Sequence, residues 1–189
     1  MTYGGVSVGW GWARHAQNGT YSSDNIVSRL HIHDFKTLLG DGGGIYALGP
    51  QPRSRMHSNW VHSMAAGRGG GGYYPDEGST EWRIVDSVFS DARHCSDDCE
   101  WLHIWTSSIQ DISVERAWTD TATVRNDGTN CTLDGVSVVT PHAFPARALA
   151  VMAGAGPTTV FTPWARPPPP PPPLWLPPSK AVRAPVNGR

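Results

Sequence analysis

Gly40-Asp41-Gly42-Gly43-Gly44-Ile45-Tyr46-Ala47-Leu48-Gly49 sets one acid before three glycines and a short apolar strand. The pattern returns as Gly69-Gly70-Gly71-Gly72-Tyr73-Tyr74-Pro75-Asp76-Glu77-Gly78, with the acids now after the strand. An earlier echo is Tyr3-Gly4-Gly5-Val6-Ser7-Val8-Gly9-Trp10-Gly11-Trp12. Ile45 and Tyr73 are 28 residues apart, and Tyr73 and Leu102 are 29 apart. A second series of apolar anchors, Val27, Met56, Ile84 and Val114, is spaced 29, 28 and 30. Two independent series with one period indicate a repeating scaffold. Val6 and Ile45 are 39 apart, which fits one inserted loop of about ten residues, at 13–24.

Within each repeat the apolar residues alternate, as in Val6/Val8, Leu102/Ile104 and Ile112/Val114. That is strand spacing, and a helical repeat would show i, i+3, i+4 instead. A period just under thirty with β-rich segments and glycine corners predicts an all-β fold, a right-handed parallel β-helix. About four rungs span residues 4–120, with a partial one at 131–139. Each rung buries its apolar residues only against its neighbours. Pairing Val6, Ile45, Tyr73 and Leu102 places Ser7, Tyr46, Tyr74 and His103 in one outward column. Gly9, Leu48, Asp76 and Trp105 form the next. Neighbouring rungs lie ~4.8 Å apart, so such columns predict an aromatic groove suited to an extended polymer.

The chain has 189 residues and a formal net charge of −1. This balance gives no general attraction for nucleic acid. It conceals two compositions: residues 1–140 carry a net −6, and residues 141–189 carry +5 and no acid. Fourteen of the seventeen prolines follow residue 140, seven of them consecutive at 167–173. The expected organisation is a β-domain over 1–140 and a disordered Ala/Pro-rich tail over 141–189. No apolar run is long enough to span a membrane. Met1 leads directly into a strand, with no signal peptide, as in a truncated piece of a longer protein or a monomer. Cys95 and Cys99 leave a loop disulfide, a metal site or free thiols open, and Cys131 reads as a core residue.

Asp41, Asp76 and Glu77 are the candidate catalytic acids, because glycoside hydrolysis uses a pair of carboxyl groups. Asp41 lies four residues before its anchor and Asp76 three after its own, so they meet only if Gly42–Gly44 turns a corner. The competing reading makes all three acids turn formers. Tyr46, Tyr74, His103 and Trp105 are candidate substrate-binding residues, and Trp10 and Trp12 are candidate sugar platforms on the rim. His31 and His33 share one side of a strand, with Asp34 beside them, but too few partners are evident for a metal. No metal or other cofactor is expected. The four glycines at 69–72 lack the Gly-Lys-Ser/Thr of a phosphate loop.

Gly5–Trp12, His31-Ile32-His33-Asp34, Asp41–Pro52 and Asp76-Glu77-Gly78-Ser79 together resemble right-handed parallel β-helix domain proteins. More narrowly they are similar to bacterial β-helix glycoside hydrolases of the fucosidase/xylanase type. The resemblance covers roughly residues 4–120. It implies a secreted or cell-surface protein acting on a polysaccharide or oligosaccharide. It also implies two catalytic aspartates, carried over to Asp41 and Asp76, with Glu77 competing for the second. The family's internal asparagine ladder is kept only at Asn59, with Leu30, Ser87 and Ala117 at the equivalent places. The family's enzymes are several times longer. A non-catalytic carbohydrate-binding or structural β-helix is the alternative. A polysaccharide lyase is disfavoured because the outward columns hold no Lys or Arg.

Overall fold

A computed structural model describes residues 1–9, 22–65, 69–91 and 99–157. It is an all-β arrangement of parallel sheets. One sheet runs β1 (Val6–Val8), β4 (Ile45–Ala47), β7 (Gly71–Pro75), β9 (Glu100–Ile104) and β11 (Arg125–Asn126). The other runs β12 (Thr132–Val138), β10 (Ser113–Thr119), β8 (Thr80–Ser90), β5 (Pro50–His57) and β2 (Ile26–Ser28). It is extended by β3 (His31–Phe35), which pairs with β6 (Trp60–Met64), and β6 pairs with the second half of β8.

The register follows the sequence period. Val6 pairs with Ile45, Ile45 with Tyr73, and Tyr73 with Leu102. In the second sheet Val27, Met56, Ile84, Val114 and Leu133 pair in turn. Both anchor series belong to one apolar core in which Ile45, Met56, Ile84, Leu102 and Val114 have no exposed surface. Burial of each such side chain contributes about 1.5–3 kcal/mol. The Tyr73 side chain reaches from one sheet to the other, where its hydroxyl donates to the carbonyls of Asn59 and Val88 at 3.3 Å.

The corners repeat as faithfully as the strands. Two residues after each anchor of the second series the backbone turns left-handed, at Arg29, Ser58, Asp86, Arg116 and Gly135. Three residues before each anchor it does so again, at Asp24, Arg53, Glu81, Asp111 and Asn130. Asp34, Ser63 and Asp91, seven after their anchors, form a third set. Only one of these thirteen corners is glycine. The others carry a left-handed cost of ~1–2 kcal/mol each, least for Asp and Asn, offset by the packing that the turn permits.

Asn59 spans one of these corners. Its amide donates to the Val27 carbonyl at 2.9 Å and accepts from the Leu30 N–H at 3.0 Å, on either side of Arg29. Asn59→Ala leaves both buried backbone groups unpaired, at about 1–3 kcal/mol each. Urea denaturation should register a loss of about 2–4 kcal/mol. A loss below about 1 kcal/mol would mean that water replaces the amide.

The tail expected to be disordered from residue 141 begins differently. Ala146–Gly154 forms a helix, α1, which packs on β8. Phe144 and Ala148 join Val88 and Trp118 in a second apolar cluster. The alanines that looked like low complexity are strong helix formers, and Phe144 anchors them. The compact unit therefore extends past residue 140 and includes α1. The proline run lies outside the described residues. Among the described residues no helix is long and apolar enough to cross a membrane.

Candidate functional site

The first sheet carries a continuous polar network along its outer side. β4 supplies Tyr46, β7 supplies Tyr74, and β9 supplies His103. Tyr46 and Tyr74 are register partners whose rings meet edge to face, with centroids 5.2 Å apart. Tyr74 and His103 repeat that contact at 4.6 Å. His103 pairs through Nδ1 with the Glu100 carboxylate.

This column is the expected one, but it is not an open groove. Tyr74 is 3% exposed and His103 is 7% exposed, because successive rings cover one another edge to face. Trp105 remains accessible, at 37% exposed. Leu48, placed in the second outward column, is also buried.

Asp76 sits just past the end of β7 and accepts three hydrogen bonds. Tyr46 donates its hydroxyl to Oδ2 at 2.6 Å, and Trp105 donates Nε1–H to Oδ1 at 2.6 Å. The Glu77 N–H adds a third at 2.7 Å. Tyr46 comes from the preceding repeat and Trp105 from the following one. Asp76 is 7% exposed. Glu77 contributes to this arrangement through its backbone.

Asp41, at a left-handed corner before β4, is exposed at the surface. The Tyr74 hydroxyl donates to its Oδ1 at 3.3 Å, and the Tyr3 hydroxyl donates to its main-chain carbonyl. The charge of Asp76 also acts on the Tyr74 hydroxyl. The left-handed corner at Asp41 itself, and not a turn of the three glycines, sets this acid beside Tyr74.

Burial, then the Asp76 bond and charge, hold the Tyr46 hydroxyl well above its ordinary pKa. Burial, then the charges of Asp76 and Asp41, do the same for Tyr74. Both are neutral donors at any ordinary pH.

Lys36 is a part of this region that the repeat pattern did not reveal. Its side chain is fully buried and its amine donates to the Gly69 carbonyl. Burial lowers its pKa, and the charges of Asp41 and Glu100 oppose that shift. The outward columns themselves hold no Lys or Arg, as expected, and Lys36 reaches the region from beneath them. Lys36 follows β3 rather than any strand of the first sheet, so column counting could not reach it.

A cavity of about 430 Å³ adjoins the network at the β1 end. Tyr3, Gly5, Ser7, Gly43, Tyr46 and Leu48 line it, and none of the three acids does. Tyr46 lines the cavity and donates to Asp76.

No family model, curated protein or solved structure matches this chain.

Trp10, Trp12 and Cys95 lie outside the described residues. Cys99 is disulfide-bonded, and Cys131 is a partly buried free thiol.

A second cluster forms on β3 and β6. His31 pairs with Trp60 and His33 with His62 in the strand register. The His31 ring stacks on Trp60 with centroids 4.2 Å apart, and Trp60 stacks on His62 at 4.4 Å. His31 Nε2 and His62 Nε2 face each other at 2.8 Å. His33 Nδ1 pairs with Asp34 at 2.7 Å. Burial, reinforced by the charges of His31 and His33, pushes His62 down to about 4. Burial, then His33, also lowers His31. The same 29-residue offset that aligns the anchors links His31 to Trp60 and His33 to His62. Extending the count to these side chains would have found the cluster.

Proposed function

We propose that the chain is a right-handed parallel β-helix whose Asp41–Asp76 face acts on a polysaccharide or oligosaccharide by glycoside hydrolysis. One observation carries this reading: Tyr46 and Tyr74, whose rings meet edge to face, donate their hydroxyls to Asp76 Oδ2 at 2.6 Å and to Asp41 Oδ1 at 3.3 Å, and so link carboxylates of neighbouring repeats. Retaining enzymes hold the two carboxyl groups ~5–5.5 Å apart and inverting ones ~6.5–9.5 Å. Both oxygens of Asp76 already accept hydrogen bonds, which suits a nucleophile or base and not a proton donor. Asp41, accessible and less encumbered, is the general acid. Trp105, 37% exposed, offers aromatic surface for a sugar ring. Lyase chemistry is a poorer fit, because the Lys36 amine is buried against a carbonyl and out of reach of a uronate carboxylate.

A non-catalytic carbohydrate-binding or structural role is the second reading. The low exposure of Asp76 favours it, since two of its donors, Tyr46 and Trp105, also tie successive repeats together.

Reducing-end release from neutral plant or algal polysaccharides tests the first reading. Asp41→Asn should lower kcat by about 10²–10⁴ with the melting temperature unchanged, as removal of a general acid does. Asp76→Asn should abolish turnover. Saccharide binding without release of reducing ends would establish the second reading. Neither binding nor turnover would overturn both.

A further inference from the structure

We infer that the outer side of the second sheet binds an anionic saccharide, with Arg55 and Arg83 holding its carboxylate or sulfate ester. The site needs no turnover at the Asp41–Asp76 face, and it rests on that reading only for the choice of a saccharide.

Alternation along the strands sets which residues face out. Met56 and Ile84 are buried, so Arg55 and His57 on β5, and Arg83 and Val85 on β8, point away from the core. The register pairs Arg55 with Arg83 and His57 with Val85. The two guanidinium groups thus start from strands ~4.8 Å apart. Like charges set side by side across a strand pair are destabilising. Neighbouring acids relieve this only in part. Arg83 pairs with Glu115 at 2.8 Å, Arg53 pairs with Asp24, and Arg116 and Arg147 share Asp86. Among the described residues no acid pairs with Arg55, or with Arg29, whose N–H bonds the His57 carbonyl. His57 registers the excess. Burial lowers its pKa, the charges of Arg55 and Arg29 lower it further, and Asp86 opposes them.

The arginine pair stands as a ridge between two hollows. One, of about 360 Å³, is lined by Arg55, His57, Arg83, Val85 and Asp86. The other, of about 440 Å³, lies on the opposite side along the strands, where Glu81 and Asp111 close it. Glu81 to Asp86 spans five residues, or about 17 Å of strand, longer than one sugar ring. An oxyanion on the ridge receives charge-assisted N–H donors from both guanidinium forks. A ligand that fills the hollows meets acceptors there: Asp86, whose charge two arginines already offset, on one side, and Glu81 and Asp111 on the other. Val85 supplies an apolar floor. Hydroxyl donors around a single acid group satisfy this arrangement, which is the chemistry of a saccharide with one uronate or sulfate. A chain charged on every unit would set anions against Glu81 and Asp111, and free phosphate would fill neither hollow.

Isothermal titration calorimetry tests the site on the full chain carrying Asp41→Asn, so that hydrolysis does not consume the ligand. The probes are xylotetraose with one glucuronic acid, monosulfated xylotetraose, unsubstituted xylotetraose and inorganic phosphate. At least one acidic saccharide should bind about tenfold or more tighter than the neutral one, and which one does so separates carboxylate from sulfate. Arg55→Gln and Arg83→Gln should each weaken that binding about tenfold or more, as loss of charged hydrogen bonds does. Arg55→Lys, which keeps the charge and loses the fork, should fall between Arg55→Gln and the parent. Arg125→Gln, on β11 of the first sheet, is the control and should change nothing. The bound anion should also raise the pKa of His57, read from its imidazole proton resonances. Equal affinity for acidic and neutral saccharides overturns the proposal. So does unchanged affinity in the Arg55→Gln/Arg83→Gln double variant, or phosphate binding as tight as the acidic saccharide. Absence of hydrolysis by the parent chain bears on the Asp41–Asp76 proposal alone, and the affinity difference bears on this one alone.

Discussion

Gly70→Ala should cost at least about 3 kcal/mol, which for a domain of this size lowers the melting temperature by roughly 6–12 °C. Two effects add. Gly70 has φ +84°, where an alanine pays about 1–2 kcal/mol for its Cβ. That Cβ would also lie 2.0 Å from the Gly42 carbonyl oxygen. The obstacle is backbone, so no side-chain rotation relieves it. Gly42 adjoins Asp41, so the relaxed variant should also displace that acid from Tyr74. Gly154→Ala is the matched control. Nothing lies within 4 Å of its added Cβ in α1, and it should stabilise by about 0.5–1 kcal/mol. Differential scanning calorimetry of the two variants reads both. A Gly70→Ala melt within 2 °C of the parent, on the order of half a kcal/mol, would contradict the close approach of the two glycine segments.

Trp82→Ala should be more damaging, at about 5 kcal/mol. Trp82 on β8 has no exposed surface, and removing a buried tryptophan costs about 3–5 kcal/mol in transfer and cavity energy. Its Nε1–H also donates to Gln51 Oε1 at 2.9 Å. Gln51 is itself buried, and its amide is committed to the carbonyls of Val8 and Leu48 at 2.8 and 3.0 Å. The orphaned oxygen adds about 1–3 kcal/mol. Trp82→Phe separates the two contributions, because it fills most of the volume and removes only the donor. Urea midpoints should order the parent above Trp82→Phe, and Trp82→Phe well above Trp82→Ala. Equal midpoints for the two variants would show that the hydrogen bond, not the packing, carries the effect.

Much of the scaffold is legible in the sequence because apolar spacing is a direct record of strand pairing. Val27, Met56, Ile84 and Val114 are equally spaced for the same reason that they are stacked: each fills the place of the one before. The left-handed corners are only partly legible. They recur at fixed offsets from the anchors, yet Arg, Ser, Asp, Glu, Asn and Gly all occupy them. Seven of the thirteen are Asp, Asn or Gly, which tolerate the left-handed region best, but the other six are imposed by the packed strands, so composition carries only a partial trace. The helix at 146–154 was hidden for a related reason. Its mark is a single large anchor, Phe144, inside a stretch dominated by alanine and proline.

The candidate site divides in the same way. Tyr46, Tyr74, His103 and Trp105 could be ordered by counting, and the count gave the correct neighbours. Counting gave no burial, because whether an outward ring is wet depends on how its neighbours lean. It also missed Lys36, whose side chain enters from another part of the repeat. The histidine pair was within reach of the same arithmetic. It was overlooked because His31 and His33 read as a local i, i+2 pair, when their decisive partners are one full period away.

The register also governs how fast the chain assembles. In the middle of this fold the strand contacts join residues 28–30 positions apart, whereas β1 and β4 are 39 apart and the last pairs, β9 with β11 and β10 with β12, are 22 and 19 apart. The entropy of closing a loop changes only slowly with its length, so repeats across this range meet similar barriers. Folding then behaves as growth from a nucleus: pairing of the first two repeats is slow, and each later repeat docks on a surface already formed. The relaxation rate of such a chain depends on its best neighbouring pair, here β5 with β8 and β8 with β10, and only weakly on how many repeats follow.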